Sequence, residues 1–384
     1  GKVANDIPFS YPETDSDWEE LAQRLTAEEL VAHGINALSF PSVLKFIQDP
    51  DHGDPYPKHF GEICDLSPLQ TMPDIKVLSL HNTEVTDLSP LRNLHNLEFL
   101  NLDETQVSDL EPLANLHNLK ELLLSETLVT DISPLKALTQ LKLLHLYITR
   151  VATVEPLREL IHLEELFLTS TQVSDLAPLT NLHKMKKLYV EQTSIRDIEP
   201  LREMIHLVEL DCHETEVSSL APLANLTDLE ALTAFRTNIC NVEPLKNLLR
   251  LKDLDISYTP IIDIQPLENL KNLETLFLND TSIKDFSVLQ EMPNLKILSL
   301  SNSAVSSLEF LSGLDKLERL FLSNTGITDL TPLGNFPNLT YLHIDNTAVR
   351  SLEPIMHLKN LKSFSCDNTL VSEEDKAKLM KKPK

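Results

Sequence analysis

The chain of 384 residues is strongly acidic, and its composition excludes several classes of protein. Its 33 Lys and Arg residues against 58 Asp and Glu residues give a formal net charge of −25. Such a surface repels nucleic-acid phosphates and anionic lipid headgroups, and it favours a basic partner. Hydrophobic residues make up 42% of the chain, which is enough for a folded core. No apolar run approaches the roughly 20 residues that span a bilayer, so we expect no membrane insertion.

Residues 1–52 are predicted to form a helical N-terminal cap. Ser16 and Thr26 are each followed three positions later by glutamate, the capping-box pattern that starts a helix. Pro41 suits a first helical turn. Helices over roughly residues 14–50 would seal the first coil of the segment that follows. The stretch "DPDHGDPYP" then predicts a loop.

Residues 53–371 are predicted to form a repetitive solenoid. From Ile75 the pattern L-x-x-L-x-L-x-x-T-x-V-x-D-L-x-P-L-x-x-L-x-N recurs fourteen times at a constant spacing of 22 residues, and a half repeat over residues 63–74 precedes it. We number the residues of each repeat as positions 1 to 22. Fourteen copies in register indicate a stack of small units rather than a set of ordinary domains.

Each unit predicts a short strand, a turn and a one-turn helix. Leucines at positions 1, 4 and 6 give a strand with one buried face, which must stack on its neighbours. Position 9 is Thr in thirteen repeats and Ser303 in one, and this hydroxyl can bond to backbone groups at the turn. Position 16 is Pro in eleven of the first thirteen repeats, with Val288 and Phe310 as the exceptions. The expected fold is an α/β right-handed leucine-rich repeat solenoid, with a curved parallel sheet and short helical or 3₁₀ segments on the convex side.

Residues 372–384 are predicted to form a C-terminal capping helix and tail. Ser372 is a suitable N-cap for the short polar stretch "SEEDKAKLMKK", which would cover the last coil. The four cysteines, Cys64, Cys212, Cys240 and Cys366, are widely spaced and form no C-x-x-C pair. We expect all four to be unpaired thiols.

The repeats with "TxVxDLxPLxxLxN" resemble those of bacterial leucine-rich repeat proteins of the internalin type over residues 63–371. This resemblance implies a curved solenoid that binds another protein on its concave face. Position 9 is Thr here, where internalins have Asn. Phosphatase-regulating leucine-rich repeat proteins of eukaryotes share the 22-residue period, but they too have Asn at this position.

Apolar and aromatic residues are concentrated where the strands should face the concave surface. Positions 3, 5 and 7 point away from the leucines, and position 8 lies at the edge. Contiguous apolar residues at such positions indicate an interface, unless an edge loop or the N-terminal cap covers them. Ile148 lies beside them at position 8 of repeat 4. The predicted binding residues are Leu123, Leu143, His145, Tyr147, Phe167, Tyr189 and Phe235.

Carboxylates surround this predicted patch. Repeats 2 to 9 carry eleven acids at these positions but only two bases, Lys187 and Arg236. An apolar centre with an acidic rim suits a partner that offers Arg and Lys around an apolar anchor. The alternative is an acidic face that is merely solvated. The predicted rim comprises Asp103, Glu121, Glu165, Glu191, Glu209, Asp211, Asp253 and Asp255, and Glu104, Glu126 and Glu214 complete the eleven.

Catalysis and metal binding are weaker interpretations of the same residues. Asp253 and Asp255 share a face, with Glu209 and Asp211 two strands away, but a flat sheet lacks a closed pocket that shifts a pKa. The neighbouring Cys212 and His213 should point to opposite faces. No glycine-rich phosphate loop, H-E-x-x-H pair or nucleophile elbow is present in the sequence. We therefore expect no enzyme activity, no metal site and no cofactor.

The sequence thus favours a non-enzymatic module that is a monomer when free and binds a protein partner of basic character on its concave face. The alternative is a targeting or regulatory domain of a larger effector or innate-sensor protein. A cytoplasmic location or secretion as a bacterial effector fits either interpretation.

Overall fold

The computed structural model describes residues 37–39 and 66–380 of the chain. Within them, the repeats form one open, curved parallel sheet in which every strand pairs with the strand of the next repeat. The pairing keeps a spacing of 22 residues throughout, as in the partners Leu78 and Leu100 of the first two repeats. The right-handed leucine-rich repeat solenoid that the sequence predicted is confirmed.

Each repeat contributes one strand of three residues, and one further strand precedes the repeats. The strands in chain order are β1 Ala37–Ser39, β2 Val77–Ser79, β3 Phe99–Asn101, β4 Glu121–Leu123, β5 Leu143–His145, β6 Glu165–Phe167, β7 Lys187–Tyr189, β8 Glu209–Asp211, β9 Ala231–Thr233, β10 Asp253–Asp255, β11 Thr275–Phe277, β12 Ile297–Ser299, β13 Arg319–Phe321, β14 Tyr341–His343 and β15 Ser363–Ser365.

Short 3₁₀ helices form the opposite side of each coil. Their bounds are Ser67–Thr71, Ser89–Leu91, Glu111–Leu113, Ser133–Ala137, Glu155–Leu157, Ala177–Leu179, Glu199–Leu201, Ala221–Asn225, Glu243–Leu245, Gln265–Leu267, Ser287–Glu291, Glu309–Leu311, Thr331–Asn335 and Glu353–Ile355. The side chain at position 13 accepts the backbone N–H of position 15 at the start of these helices, as Asp131 does from Ser133 at 2.8 Å. The recurring Asp therefore has a structural role.

The two repeats without Pro at position 16 differ on this side. Val288 and Phe310 are both buried, and the Phe310 ring lies 5.6 Å from that of Phe286 in the preceding repeat. Both 3₁₀ helices nevertheless form, because the position-16 side chain here packs against the core. The repeat with Phe310 thus gains an aromatic contact that the proline-containing repeats lack.

The core is a continuous column of leucines, and the hydroxyl at position 9 closes each coil above it. In Thr105, for example, Oγ1 donates to the carbonyl oxygen of Leu102 at 2.7 Å, and the side chain has no exposed surface. The same bond recurs in every repeat, including the one with Ser303. It satisfies a backbone carbonyl that the turn would leave unpaired.

A second ladder runs between coils. Where position 22 is Asn, its Nδ2 donates to the carbonyl oxygen at position 21 of the preceding repeat, as Asn118 does to His95 at 2.8 Å. The same bond is made in later repeats, for example by Asn294 and Asn360. Thus Thr stabilises a coil from within, whereas Asn joins neighbouring coils.

The two ends of the solenoid lie at the limits of the described residues. β1 pairs with β2, and it falls within the range expected to be helical. The rest of the predicted helical cap lies outside the described residues. At the other end, helix α1 spans Glu373–Met380, and its first turn is capped by Ser372, whose Oγ accepts the N–H of Asp375 at 3.1 Å. Leu379 of α1 is buried against the last coil.

The described cysteines are free thiols. Cys212 and Cys366 are buried and Cys240 is exposed, whereas Cys64 lies outside the described residues. Over the described part of the chain, no helix is long and apolar enough to cross a membrane.

A candidate protein-binding surface on the concave face

The seven predicted apolar and aromatic residues lie on the sheet face that points away from the leucine core. This follows from the alternation along each strand, which sends position 4 inward and positions 3 and 5 outward. Each side chain is partly buried against its neighbours, and none belongs to the core. They are Leu123, Leu143, His145, Tyr147, Phe167, Tyr189 and Phe235.

Four of these rings form one continuous strip across three adjacent strands. His145 and Phe167 have ring centroids 4.2 Å apart, and Phe167 stacks on Tyr189 at 4.5 Å with an interplanar angle of 10°. The ring centroid of Tyr147 lies 6.4 Å from that of His145. We call His145, Tyr147, Phe167 and Tyr189 the aromatic strip. Leu123 and Leu143 continue it, because they occupy neighbouring strand positions.

His145 is the one residue of the strip that could carry a charge near neutral pH, and burial keeps it neutral. Burial lowers the pKa of His145 to about 4, so its ring is neutral at physiological pH. Its Nε2 is buried and has no hydrogen-bond partner among the described residues. His145 therefore acts as a neutral ring within the strip.

Phe235 stands apart from the aromatic strip. It stacks on His213 with centroids 4.1 Å apart and an interplanar angle of 13°. Nδ1 of His213 lies 2.6 Å from Oδ1 of Asp211, which fixes the ring. Repeat 7, which carries Asp211 and His213, lies between Phe235 and Tyr189. Sequence reasoning did not place His213 in the site, although alternation puts it on the same face as Asp211.

Two of the predicted rim acids are nearly as buried as core residues. Asp103 is 8% exposed and accepts the backbone N–H of Ser125 at 2.6 Å. Burial raises its pKa to about 6. Glu191 is also 8% exposed, and it accepts a hydrogen bond from Oγ1 of Thr169 at 2.5 Å. Burial likewise raises the pKa of Glu191.

Two more acids flank Leu143 on the strands either side of it. Burial and then repulsion from Glu165 raise the pKa of Glu121 to about 7. Glu165 itself lies 3.7 Å from Nζ of Lys187. Leu143 thus lies between one paired carboxylate and one that the described residues leave unpaired.

The remaining rim acids lie on β8 and β10. Glu209 accepts the hydroxyl of Tyr189 at 2.5 Å and so ties the rim to the aromatic strip. Asp211 and Asp255 each accept the backbone N–H two residues further on, and burial raises the pKa of both. Asp253 is exposed.

The concave surface therefore carries carboxylates in excess of cations. The two cations of this surface are already paired: Lys187 forms an ion pair with Glu165, and Arg236 forms one with Glu214. Over the described residues, no other Lys or Arg lies within ion-pair distance of the eight predicted rim acids. Loss of water by burial is the largest cause of the raised pKa values of Asp103, Glu121, Glu191, Asp211 and Asp255. A cation brought by a partner would be attracted to this face.

The raised pKa values of Asp103 and Glu121 correct the expectation that a flat sheet shifts no pKa, because neighbouring side chains on this face exclude water from both carboxylates. In the described part of the chain, no group of three or more His, Cys, Asp or Glu residues could hold a metal ion. Cys212 is buried in the core, where burial raises its pKa, while His213 lies on the concave face. The two side chains point apart, as their adjacent positions predicted.

Comparison with known proteins identifies the class. The sequence matches the family of Leucine Rich repeats (2 copies) over residues 73–115, 249–291 and 293–335. The structure superimposes on an internalin (inlF) of Listeria monocytogenes with a TM-score of 0.73 and 30% sequence identity, covering 74% of this chain and 85% of that one. The chain belongs to the internalin-type leucine-rich repeat proteins of bacteria.

More distant structures share the fold. A leucine-rich repeat protein of Leptospira interrogans has a TM-score of 0.76 at 22% identity, over 82% of this chain and 83% of that chain. The plant peptide hormone receptor RGFR1, in complex with RGF2, has a TM-score of 0.64 at 16% identity, over 80% of this chain and 61% of that chain. No curated protein matches the sequence. Proteins of this fold are protein-interaction modules.

Proposed function

We propose that the chain is a non-enzymatic module that binds a protein partner on its concave face, and that the partner presents an apolar anchor surrounded by Lys and Arg. The aromatic strip carries this proposal. Folding requires no ring at an outward position of the sheet, yet four rings in contact occupy such positions.

The charge of the surface supports a basic partner. Asp103 and Glu121 are partly buried and form no ion pair with Lys or Arg in the described residues, so a partner's Lys or Arg would stabilise their charged forms. The plant receptor of the same fold also holds a peptide ligand. Secretion as an effector is consistent with membership of the internalin type, and we propose it for this chain.

The test compares two matched aromatic rings. Phe167→Ala removes a ring from the strip, and Phe321→Ala removes one that contacts His343 at 5.1 Å on the less acidic half of the same face. Each loses one or two ring contacts, so both should destabilise the fold by about 1 kcal/mol. A library of displayed random linear peptides, selected on the wild-type protein, supplies the ligand.

The two variants should differ in binding. Selected peptides should be enriched in an apolar residue next to Lys or Arg, and Phe167→Ala should weaken them by roughly 2 kcal/mol, about 30-fold. Phe321→Ala should bind as the wild type does. Peptides that bind both variants equally, or a Phe167→Ala protein that fails to fold, would show that the strip is not the binding site.

A further inference from the structure

The backbone at position 8 is left-handed in all fourteen repeats, with φ between 51° and 58°. This conformation disfavours residues with a Cβ atom, and Asn and Asp tolerate it best. Six repeats follow that preference, with Asn82, Asp280, Asn302, Asn324, Asn346 and Asn368. Repeat 4 instead places Ile148 there at φ 54°. A β-branched residue is the least suited to this backbone, so folding does not account for Ile148.

Ile148 is also exposed to solvent. Its side chain is 53% exposed, and Leu128, at position 10 of the preceding repeat, is 46% exposed. An open groove of about 500 Å³ lies along these two residues. Its other lining residues include Glu126, Arg150, Ser170 and Gln172. The groove thus presents two apolar side chains among polar and charged ones.

The residues at position 8 of successive repeats form a ridge along the edge of the sheet. The charged side chains of this ridge have partners on one side of the groove only. Beyond it, Ser170 donates to Gln192 at 2.6 Å, and Gln192 donates to Glu214 at 3.1 Å. Arg236 pairs with Glu214 and also lies 5.1 Å from the ring centroid of Tyr258. This chain of contacts leaves no ridge charge from Ser170 to Tyr258 without a partner.

On the other side of the groove the ridge stays acidic. Glu104 and Glu126, at position 8 of repeats 2 and 3, have no Lys or Arg within ion-pair distance in the described part of the chain. Arg150, at position 10, also lines the groove. A cation at this end of the ridge therefore meets two carboxylates without an ion-pair partner, of which Glu126 lines the groove.

The groove is continuous with the concave surface. Tyr147 precedes Ile148 and belongs to the aromatic strip. Burial and then the charges of Asp103 and Glu126 raise the pKa of Tyr147, which places its hydroxyl near both acids. The strip and the groove form one surface that passes over the edge of the sheet at repeat 4.

We propose that the groove between Leu128 and Ile148 receives an apolar side chain of the protein partner, and that an adjacent Lys or Arg of this partner pairs with Glu126 and Glu104. The proposal rests on the proposed function, because it concerns the same partner. Ile148 is kept at a backbone position that suits Asn because it contacts that partner.

Ile148→Asn separates binding from folding. The variant gains the residue that the left-handed backbone favours, so its melting temperature should rise by about 2 °C or more. The same variant should bind peptides selected on the wild type at least tenfold more weakly. The matched control is Asn302→Ile, which introduces the strained residue at the same position of repeat 11. It should melt earlier and bind as the wild type does.

The outcomes distinguish this inference from the proposed function. If Phe167→Ala weakens the peptides and Ile148→Asn does not, the concave site stands and the groove plays no part. If neither variant weakens them, or if no peptide can be selected, both proposals fail. An unchanged or lower melting temperature for Ile148→Asn would show that Ile148 is part of the structure rather than a contact residue.

Discussion

The charged carboxylates of the concave surface destabilise the folded protein, but they would favour the binding of a basic partner. Glu121 shows this best, since burial and the neighbouring Glu165 raise its pKa to about 7. Asp103, with a pKa raised by burial to about 6, is similar, although the N–H of Ser125 compensates it in part. A raised carboxylate pKa means that the charged form is less favourable in the folded protein than in the unfolded chain.

Replacing Glu121 with Gln is therefore expected to stabilise the protein at about pH 8 and to change little at about pH 4. The wild-type side chain takes up a proton on folding between its usual pKa of 4.5 and about 7, so its favourable contribution is lost as the pH rises through about 7. The gain at the higher pH should be about 1 kcal/mol, because the side chain keeps some contact with water. Urea denaturation at both pH values measures it. Glu84→Gln, at an exposed site, should show no such difference between the two pH values.

At the scale of the element, the same 3₁₀ helix is built in two ways. Eleven of the first thirteen repeats use Pro at position 16, whereas Val288 and Phe310 fill it with buried side chains. The two exceptions differ from each other, because the Phe310 ring packs on Phe286. Proline stiffens the unfolded chain, but it cannot replace that contact.

Substituting Pro at these two sites should give effects of opposite sign. Val288→Pro restores the residue of the other repeats and is expected to stabilise the protein by about 0.5 kcal/mol. Phe310→Pro removes a buried ring and should destabilise it by about 3 kcal/mol. The midpoint of guanidinium denaturation measures both changes. Equal effects at the two sites would contradict the packing role assigned to Phe310.

How far the sequence predicts an element depends on how often the pattern repeats. The spacing of 22 residues predicted the strand register, and the hydroxyl at position 9 predicted a backbone bond that the structure shows in every repeat. The repeat did not predict that the aromatic residues form two separate stacks. Phe235 pairs with His213 rather than with Tyr189, because ring stacking depends on side-chain rotamers and on the intervening strand of Asp211. The left-handed position 8 was indicated by its Asn residues but obscured by Ile148.

At the scale of the whole molecule, each coil in the described part of the chain pairs with the coil before it and the coil after it. The stability of such a stack is close to a sum over coils and their interfaces. A coil can therefore be removed without unfolding the rest, provided that the register is kept. The concave surface, in contrast, depends on which coil is removed.

Deleting a whole repeat should separate these two properties. Without residues 317–338 the protein should fold and bind selected peptides as the full chain does, since the aromatic strip and the groove are intact. Without residues 163–184, which include Phe167, it should fold equally well and bind at least tenfold more weakly. Circular dichroism and titration with the peptides measure both. Loss of folding in both deletions would contradict the additive view of the stack.

The position-9 hydroxyl has a consequence for how such a chain changes over evolutionary time. Its bond runs from Thr to a carbonyl three residues earlier in the same coil, so each coil carries this stabilisation wherever it is placed. An in-frame duplication or loss of the coding segment for one coil thus yields a protein that still folds, and recombination between coils is tolerated as well. The distance between the aromatic strip and either end can then be adjusted in steps of one strand spacing, about 4.8 Å, without redesign of the core.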